Sequence, residues 1–158
     1  MAQQSVVVIG ATTTLRPLAS VLVAGGAEVL AIARDMSNPP EGCATAAVDA
    51  RDAAALDRAL GGRRWNVVVA YEPAVSPASL EVIERCSDRH VLVRPSAAAD
   101  PAHSTDDFVA ANDELVLGWR DGASRWHGPH EISAAALLVL DDGHGRVLGH
   151  VRPWADRP

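Results

Sequence analysis

The sequence predicts a single α/β domain with a doubly wound, mostly parallel sheet. Continuous β-branched runs such as Ser5–Ile9 and Asn66–Tyr71 are typical of strands buried on both faces of a parallel sheet. Apolar residues at helical spacing follow the first run, and Gly25 and Gly26 then mark the end of a helix. Because strands and helices alternate in this way and no linker interrupts them, we expect one domain over residues 1–158.

The part of the chain before residue 94 contains most of the predicted elements. Each predicted strand is a short apolar run between turn residues, and each predicted helix has apolar residues three or four positions apart. The third strand has the weakest signal. In chain order, strands are predicted at 5–9, 28–33, 44–48, 66–71 and 90–93, and helices at 15–23, 52–60 and 79–86.

The C-terminal third completes the pattern with a loop and a last helix. Residues 94–107 are rich in Pro, Ser, Ala and Asp, which predicts a loop over the carboxyl edge of the sheet. Pro129 suits the first turn of a helix, Glu131 complements its dipole, and residues 142–145 end it. The remaining segments are a strand at 114–119, a turn at 120–124, a strand at 146–151 and a loose tail at 156–158.

The composition and net charge of the chain limit the kinds of partner that it is expected to bind. The net charge is −6 with both signs interspersed, so we expect no nucleic-acid binding. Neither a signal segment nor a membrane-length apolar run is present, which favours a cytoplasmic protein that does not bind membranes. The expected partner is a small-molecule substrate. Self-association stays open. Cys43 and Cys86 are isolated and predict reduced thiols, and no spacing of His, Cys or acidic residues indicates a metal site.

The chain contains no lysine, since all 14 of its basic Lys and Arg positions are arginine. A Schiff-base enzyme, a pyridoxal-phosphate enzyme and a Walker phosphate loop each need a lysine ammonium group. A hydride-transfer site built on a Tyr/Lys pair needs one as well. These classes of chemistry are therefore excluded.

The turn over residues 10–17 joins the first strand to the first helix, where nucleotide-binding domains place their phosphate loop. Over about residues 5–96 the chain resembles the short-chain dehydrogenase/reductase superfamily, which implies a three-layer, Rossmann-like domain. Of that family's G-x-x-x-G-x-G loop only Gly10 is kept, with Thr14 and Arg16 at the other two glycine positions and Thr12 between them and Gly10. Glycine lets the backbone approach the pyrophosphate, so the Arg16 side chain would block that approach or contact a phosphate itself.

Other positions match the family unevenly. The resemblance implies that Arg34, after the second strand, favours the 2′-phosphate of NADP and that Asp49 lies near the adenine. Both could equally be solvated strand-end charges. Ser96 could take the place of the family's serine, but Phe108 and Asn112 stand where a Tyr-x-x-x-Lys pair is expected. The usual proton relay to a ketone or alcohol is therefore absent.

Acid/base groups remain near the predicted ligand crevice, which lies beyond the carboxyl ends of the strands. Tyr71, Glu72 and His127 are the candidate catalytic residues, with the histidine near the start of the last helix. Glu72 could instead belong to a turn that ends the strand, and Arg94 could instead form an ion pair at the surface. The candidate substrate-binding residues are Arg94, Ser96, Trp119 and Trp126.

The leading hypothesis is a cofactor-independent acid/base enzyme. A dehydratase, cyclase or isomerase acting on a small carbonyl or aromatic polyketide-type compound needs an acid, a base and oxyanion support, none of which requires lysine. The second hypothesis is an NADP(H)-binding reductase or redox sensor that uses Arg16, Arg34 and Asp49. A third is a non-enzymatic accessory subunit.

Overall fold

A computed structural model describes residues 2–121 and 125–158. Its seven strands form one parallel sheet, and four α-helices cover the two faces. The strands are β1 Ser5–Ile9, β2 Glu28–Ala33, β3 Ala44–Ala47, β4 Trp65–Tyr71, β5 Ser87–Arg94, β6 Glu114–Leu117 and β7 Arg146–Leu148. The helices are α1 Arg16–Ala24, α2 Ala53–Leu60, α3 Pro77–Cys86 and α4 Pro129–Asp142.

The strand order is β3-β2-β1-β4-β5-β6-β7, so the direction of winding reverses between β1 and β4. Every strand pair within this sheet is parallel. The prediction of a doubly wound Rossmann-like α/β fold is confirmed. A ligand crevice is expected beyond the carboxyl ends of β1 and β4, because the loops that follow these two strands leave on opposite faces of the sheet.

The central strand β1 explains the two-sided core. Val6 and Val8 point to the layer that contains α1 and α4, whereas Val7 and Ile9 point to the layer that contains α2 and α3. All four side chains are buried. This burial on both faces is the reason why the strand is continuously apolar rather than alternating.

The last two strands are shorter than predicted. The chain leaves the parallel ladder after Leu117, because Trp119 pairs in antiparallel bridges with Trp126 and His150. The strand predicted at 146–151 ends at Leu148, because Gly149 turns the chain with φ +78°.

Smaller differences follow from local hydrogen bonding. Helix α3 begins at Pro77 rather than at residue 79, because the Ser76 hydroxyl accepts the N–H of Ser79 and caps the helix. Strand β5 extends at both ends to Ser87–Arg94, since its backbone continues to pair with β4 and β6. Short 3-10 helices at 72–74, 96–99 and 154–156 were not predicted.

The tail predicted to be loose is held in place, since Arg157 donates from Nε to the Ser96 hydroxyl at 3.1 Å. Most of the turn predicted at 120–124 lies outside the described residues. In the described ranges, no helix combines the length and the apolar character needed to cross a bilayer.

Candidate functional site

Two cavities open at the carboxyl edge of the sheet and share one residue, Tyr71. The first cavity has a volume of about 340 Å³ and lies over the ends of β1, β2 and β3. Its lining includes Gly10, Thr12, Arg34 and Asp49, which the family resemblance assigns to a nucleotide. The structure therefore brings these four predicted residues together.

The second cavity has a volume of about 330 Å³ and lies on the other side of Tyr71, towards α4. This size is within the lower part of the range for small-molecule sites. Its lining combines acid/base, hydroxyl and aromatic side chains from distant parts of the chain. The polar and aromatic side chains in this lining include those of Thr14, Tyr71, Ser96, Trp126, His127 and Arg157.

Tyr71 is held at the boundary between the cavities by a close approach of two strand ends. Gly10 follows β1 with φ +95°, and a Cβ built on it would lie 3.1 Å from the Cβ of Tyr71. Only glycine meets both conditions without strain. Burial raises the pKa of the Tyr71 phenol, so the group is protonated at neutral pH and can donate a hydrogen bond.

His127 lies against the second cavity with only 12% of its side chain exposed. Its Nδ1 is 3.5 Å from a carboxylate oxygen of Glu131, but neither ring nitrogen forms a hydrogen bond with any described residue. Gly149 makes room for the ring, because a Cβ there would collide with His127 Nε2. A buried imidazole with uncommitted nitrogens is suited to exchange a proton with a ligand.

The N-terminus of α4 fixes the position of His127. Glu131 accepts the N–H of Gly128 at 2.8 Å, and its other oxygen is 3.3 Å from Arg120. The Gly128 hydrogen bond is the main cause that lowers the pKa of Glu131, with smaller contributions from Arg120 and His127. Glu131 is therefore a carboxylate beside the imidazole at neutral pH.

Glu72 and Arg94 are brought together, but not towards a cavity. Arg94 Nε lies 2.9 Å from Glu72, and its Nη1 lies 3.4 Å from Glu114. The hydrogen bond to Glu72 is the main cause that raises the pKa of Arg94. Neither Glu72 nor Arg94 lines the two cavities. The structure therefore places neither residue in contact with a cavity in which it could have its predicted role.

Of the two tryptophans predicted to bind substrate, one lines the second cavity and forms an aromatic wall there. Trp126 lines the second cavity and is 42% exposed, which places it at the mouth. Trp119 is buried and packs edge-on against Trp126 and Trp154, with ring centroids 6.4 and 6.1 Å away. Trp119 thus supports the wall from behind and is not part of the lining of this cavity.

The β1–α1 turn lacks an open helix terminus for a pyrophosphate. Pro17 has no N–H, and the N–H of Leu18 is taken by the Ser133 hydroxyl at 3.0 Å. Arg16 donates to the backbone carbonyls of Asn38 and Pro39 at 3.4 and 3.3 Å. The adenosine end of a dinucleotide fits the lining of the first cavity, whereas its pyrophosphate does not fit this helix terminus.

No family model matches the chain. No curated protein matches it either. Solved structures that resemble it at low sequence identity include short-chain dehydrogenase/reductase proteins, so the chain shares their Rossmann-type fold.

Three solved structures illustrate the likeness. The NADPH-dependent reductase YwfH, involved in bacilysin biosynthesis, is 13% identical with a TM-score of 0.61, and the match covers 94% of this chain and 99% of that chain. A C-terminal deletion mutant of Thermoplasma acidophilum aldohexose dehydrogenase is 13% identical with a TM-score of 0.60, covering 93% and 95%. A short-chain dehydrogenase from Streptomyces avermitilis is 14% identical with a TM-score of 0.58, covering 94% and 88%.

Arg157 is the residue at this site that the sequence analysis missed. It is the penultimate residue of the sequence, in a segment with no periodic pattern, and it reaches Ser96 across 61 positions of sequence. The neighbouring Trp154 was the available signal, because a tryptophan close to a chain end indicates a packed segment rather than a loose one.

Proposed function

We propose that the protein is an acid/base enzyme that acts on a small carbonyl compound without a redox cofactor. The observation that carries the proposal is that the Tyr71 phenol and the uncommitted His127 imidazole line the same cavity. Dehydration, cyclisation and isomerisation of aromatic polyketide-type compounds all fit this chemistry. Each needs a base at a carbon and an acid at an oxygen.

The proposed steps use only these two side chains. His127 accepts the proton on the carbon next to the substrate carbonyl, and Tyr71 donates a hydrogen bond to the carbonyl oxygen as the enolate forms. Return of the proton to another carbon gives isomerisation. In a β-hydroxy compound, loss of the hydroxyl with a proton from Tyr71 gives water and a conjugated product. Tyr71 then recovers its proton from solvent or from the imidazolium.

Two features of the chain support this function over hydride transfer. Tyr71 is the only tyrosine and no lysine exists, so a Tyr/Lys relay cannot be assembled from other positions. At the same time, the α1 terminus that would hold a pyrophosphate is occupied by Pro17 and by the hydrogen bond from Leu18 to Ser133. Both features disfavour hydride transfer from a dinucleotide cofactor. Neither removes the phenol of Tyr71 or the imidazole of His127, which are the acid/base groups of the proposal.

Solvent deuterium exchange tests the proposal without a known substrate. A panel of small β-hydroxy ketones and aromatic 1,3-diketones is incubated with the protein in D₂O, and the loss of α-proton signals is followed by NMR. We expect exchange above the buffer rate for at least one compound. Tyr71→Phe and His127→Gln should each lower the excess rate by about 10²-fold or more, as for removal of a general acid or base.

His130→Gln is the matched control, because His130 is exposed on the first turn of α4 and does not line the cavity. This variant should keep the full exchange rate. An excess rate that survives both Tyr71→Phe and His127→Gln would remove the proposal, and so would the absence of exchange for the whole panel.

A second candidate function is binding of an NADP-type nucleotide for reduction or redox sensing. It is favoured by Arg34 and Asp49, which line the first cavity together with Thr12. The 2′-phosphate would contact Arg34, and the adenine would lie near Asp49. The pyrophosphate would need donors other than the α1 terminus.

Calorimetric titration separates this candidate from the first. Under it, 2′,5′-ADP and NADPH bind below millimolar concentration, NADH binds more weakly, and Arg34→Gln removes the preference for the 2′-phosphate. Arg58→Gln removes one arginine from α2, away from both cavities, and controls for net charge. Failure of both phosphorylated ligands to bind would eliminate the candidate.

A further inference from the structure

The second cavity has one formally charged side chain in its lining, Arg157, and no Asp or Glu among the described residues that line it. The rest of the lining is apolar, aromatic, hydroxyl or imidazole. A cation without an acidic partner in such a lining favours an anionic ligand. Arg157 also borders a larger hollow, so a ligand can reach it from solvent. Asp121 and Asp156 line that hollow, but neither forms an ion pair with Arg157 in the part of the chain that the structure describes.

Three contacts orient the Arg157 guanidinium at the cavity mouth. Its Nε donates to the Ser96 hydroxyl at 3.1 Å, and Ser96 is only 3% exposed. Its central carbon lies 5.5 Å from the Trp126 ring centroid and 5.2 Å from that of Trp154, within the range of cation–π attraction. With Nε committed, the two terminal nitrogens form no hydrogen bond or ion pair with the residues that the structure describes.

Three other arginines near this end of the sheet are already engaged, whereas Arg34 lies in the first cavity and does not line the second. Arg94 is paired with Glu72 and Glu114, and Arg152 donates to the backbone carbonyls of Ala99 and Thr105. Arg16, which sequence reasoning offered as an anion partner, donates to two carbonyls after β2. Arg157 is therefore the arginine at the second cavity that retains a pair of donors for a ligand.

We propose that Arg157 binds a carboxylate on the substrate and selects for carboxylate-bearing, planar compounds. A guanidinium with two open donors matches a carboxylate in a two-point contact. Trp126, Leu117 and Ile132 supply an apolar lining for the planar body. The inference deepens the proposed function, on which it rests, by naming the substrate class of the same cavity.

Benzoate and benzamide are the probes, because they share one shape and differ in charge. Indole N–H signals in NMR spectra report binding, since three of the four tryptophans cluster near the cavity whereas Trp65 stacks on Arg63 elsewhere. We expect benzoate to shift the Trp126 and Trp154 signals saturably in the millimolar range expected for so small a ligand. The Trp65 signal should not move, and benzamide should bind at least about tenfold more weakly.

Substitutions then assign the effect to Arg157. Arg157→Gln should weaken benzoate binding by about tenfold, as expected for loss of a charged hydrogen-bond donor, and should leave benzamide unchanged. Arg157→Lys should bind benzoate with an affinity between those of the unmodified protein and Arg157→Gln, because lysine keeps the charge and loses the planar pair of donors. Arg58→Gln on α2 is the matched charge control and should bind benzoate as the unmodified protein does.

The outcomes separate this inference from the acid/base proposal. Arg157-dependent benzoate binding without any deuterium exchange would support the carboxylate site and reject the catalytic function. Tyr71- and His127-dependent exchange with equal binding of benzoate and benzamide, or with no effect of Arg157→Gln, would overturn the role of Arg157. Absence of benzoate binding would overturn it too. Inorganic phosphate that shifts the same signals as strongly as benzoate would reject selectivity for carboxylates.

Discussion

At the scale of single residues, the contact between Gly10 and Tyr71 organises the candidate site. The positive φ of Gly10 lets the β1–α1 turn pass directly over the end of β4. The same turn carries Thr12 into one cavity and Thr14 into the other. One backbone position therefore determines how both cavities are separated and where the only phenol of the chain lies.

Gly10→Ala is predicted to destabilise the protein and to displace Tyr71. A side chain at this φ costs about 1–2 kcal/mol, and the 3.1 Å approach to Tyr71 adds to that cost. Gly26→Ala is the matched control, since Gly26 has φ +90° with nothing within 4 Å of its Cβ position. Chemical denaturation should show a larger loss for Gly10→Ala. Equal losses in the two variants would mean that the contact with Tyr71 has no energetic weight.

At the scale of elements, α4 matters most, because it connects the site to the sheet. Its first turn follows His127, and its Ser133 hydroxyl binds the N–H of Leu18 in α1. Its C-terminal end is closed by Arg89 of β5, which donates to the carbonyls of Val139 and Leu140 at 2.7 Å. Arg89 thus places a positive charge at the negative end of the helix dipole.

Arg89→Ala is predicted to lower the free energy of unfolding by about 1.5–3 kcal/mol, because charged hydrogen bonds to two helix carbonyls and the part-buried ion pair with Asp113 are lost. Arg85→Ala removes an exposed pair with Asp57 and should cost at most about 1 kcal/mol. Urea unfolding of the two variants measures the difference. If Arg89→Ala were as mild as Arg85→Ala, the closing role of Arg89 would be rejected.

At the scale of the whole molecule, surface carboxylates are stabilised by partners throughout the fold. In six carboxylates, hydrogen bonds from arginines, backbone amides or hydroxyl groups lower the pKa of the side chain in the folded state. At the other end of the pH scale, burial raises the pKa values of the Tyr71 phenol and the Cys43 thiol. The carboxylates concerned are Glu28, Asp35, Asp88, Asp107, Glu131 and Asp142.

The melting temperature is predicted to fall as pH drops below about 4.5, near the ordinary pKa of glutamate. The folded state binds fewer protons there than the unfolded state, so the contribution is complete above the ordinary values and is lost below them. Raising the pH past the ordinary values of Cys43 and Tyr71 should also destabilise the protein, because burial favours their neutral forms. Thermal melts from pH 3 to 11 measure both limits. A flat profile between pH 5 and 3 would contradict the acid limit.

High salt should reduce the fall in melting temperature at acid pH. Most of the ion pairs involved are exposed, and at about 1 M salt their attraction is screened within a few ångströms. Carboxylates held by backbone amides, such as Asp35 and Glu131, should be affected less.

The sequence by itself determined the strand–helix order, the two-sided burial of β1 and the glycine turn after it. These follow from hydrophobic period and backbone freedom, which are local properties. It also identified Tyr71, Ser96, Trp126 and His127, which the fold brings to one cavity. Because parallel strands end at one edge, residues that follow them can be expected to meet there.

Only the tertiary structure decided which charges are engaged. The Arg94–Glu72 pair, the Leu18–Ser133 hydrogen bond and the contact of Arg157 with Ser96 join residues 22, 115 and 61 positions apart. Such contacts depend on strand order and on where the chain returns after β7, and no local pattern encodes them. For that reason the sequence indicated Arg94 for substrate binding and Arg16 for contact with a phosphate, whereas the packed molecule leaves open donors on Arg157.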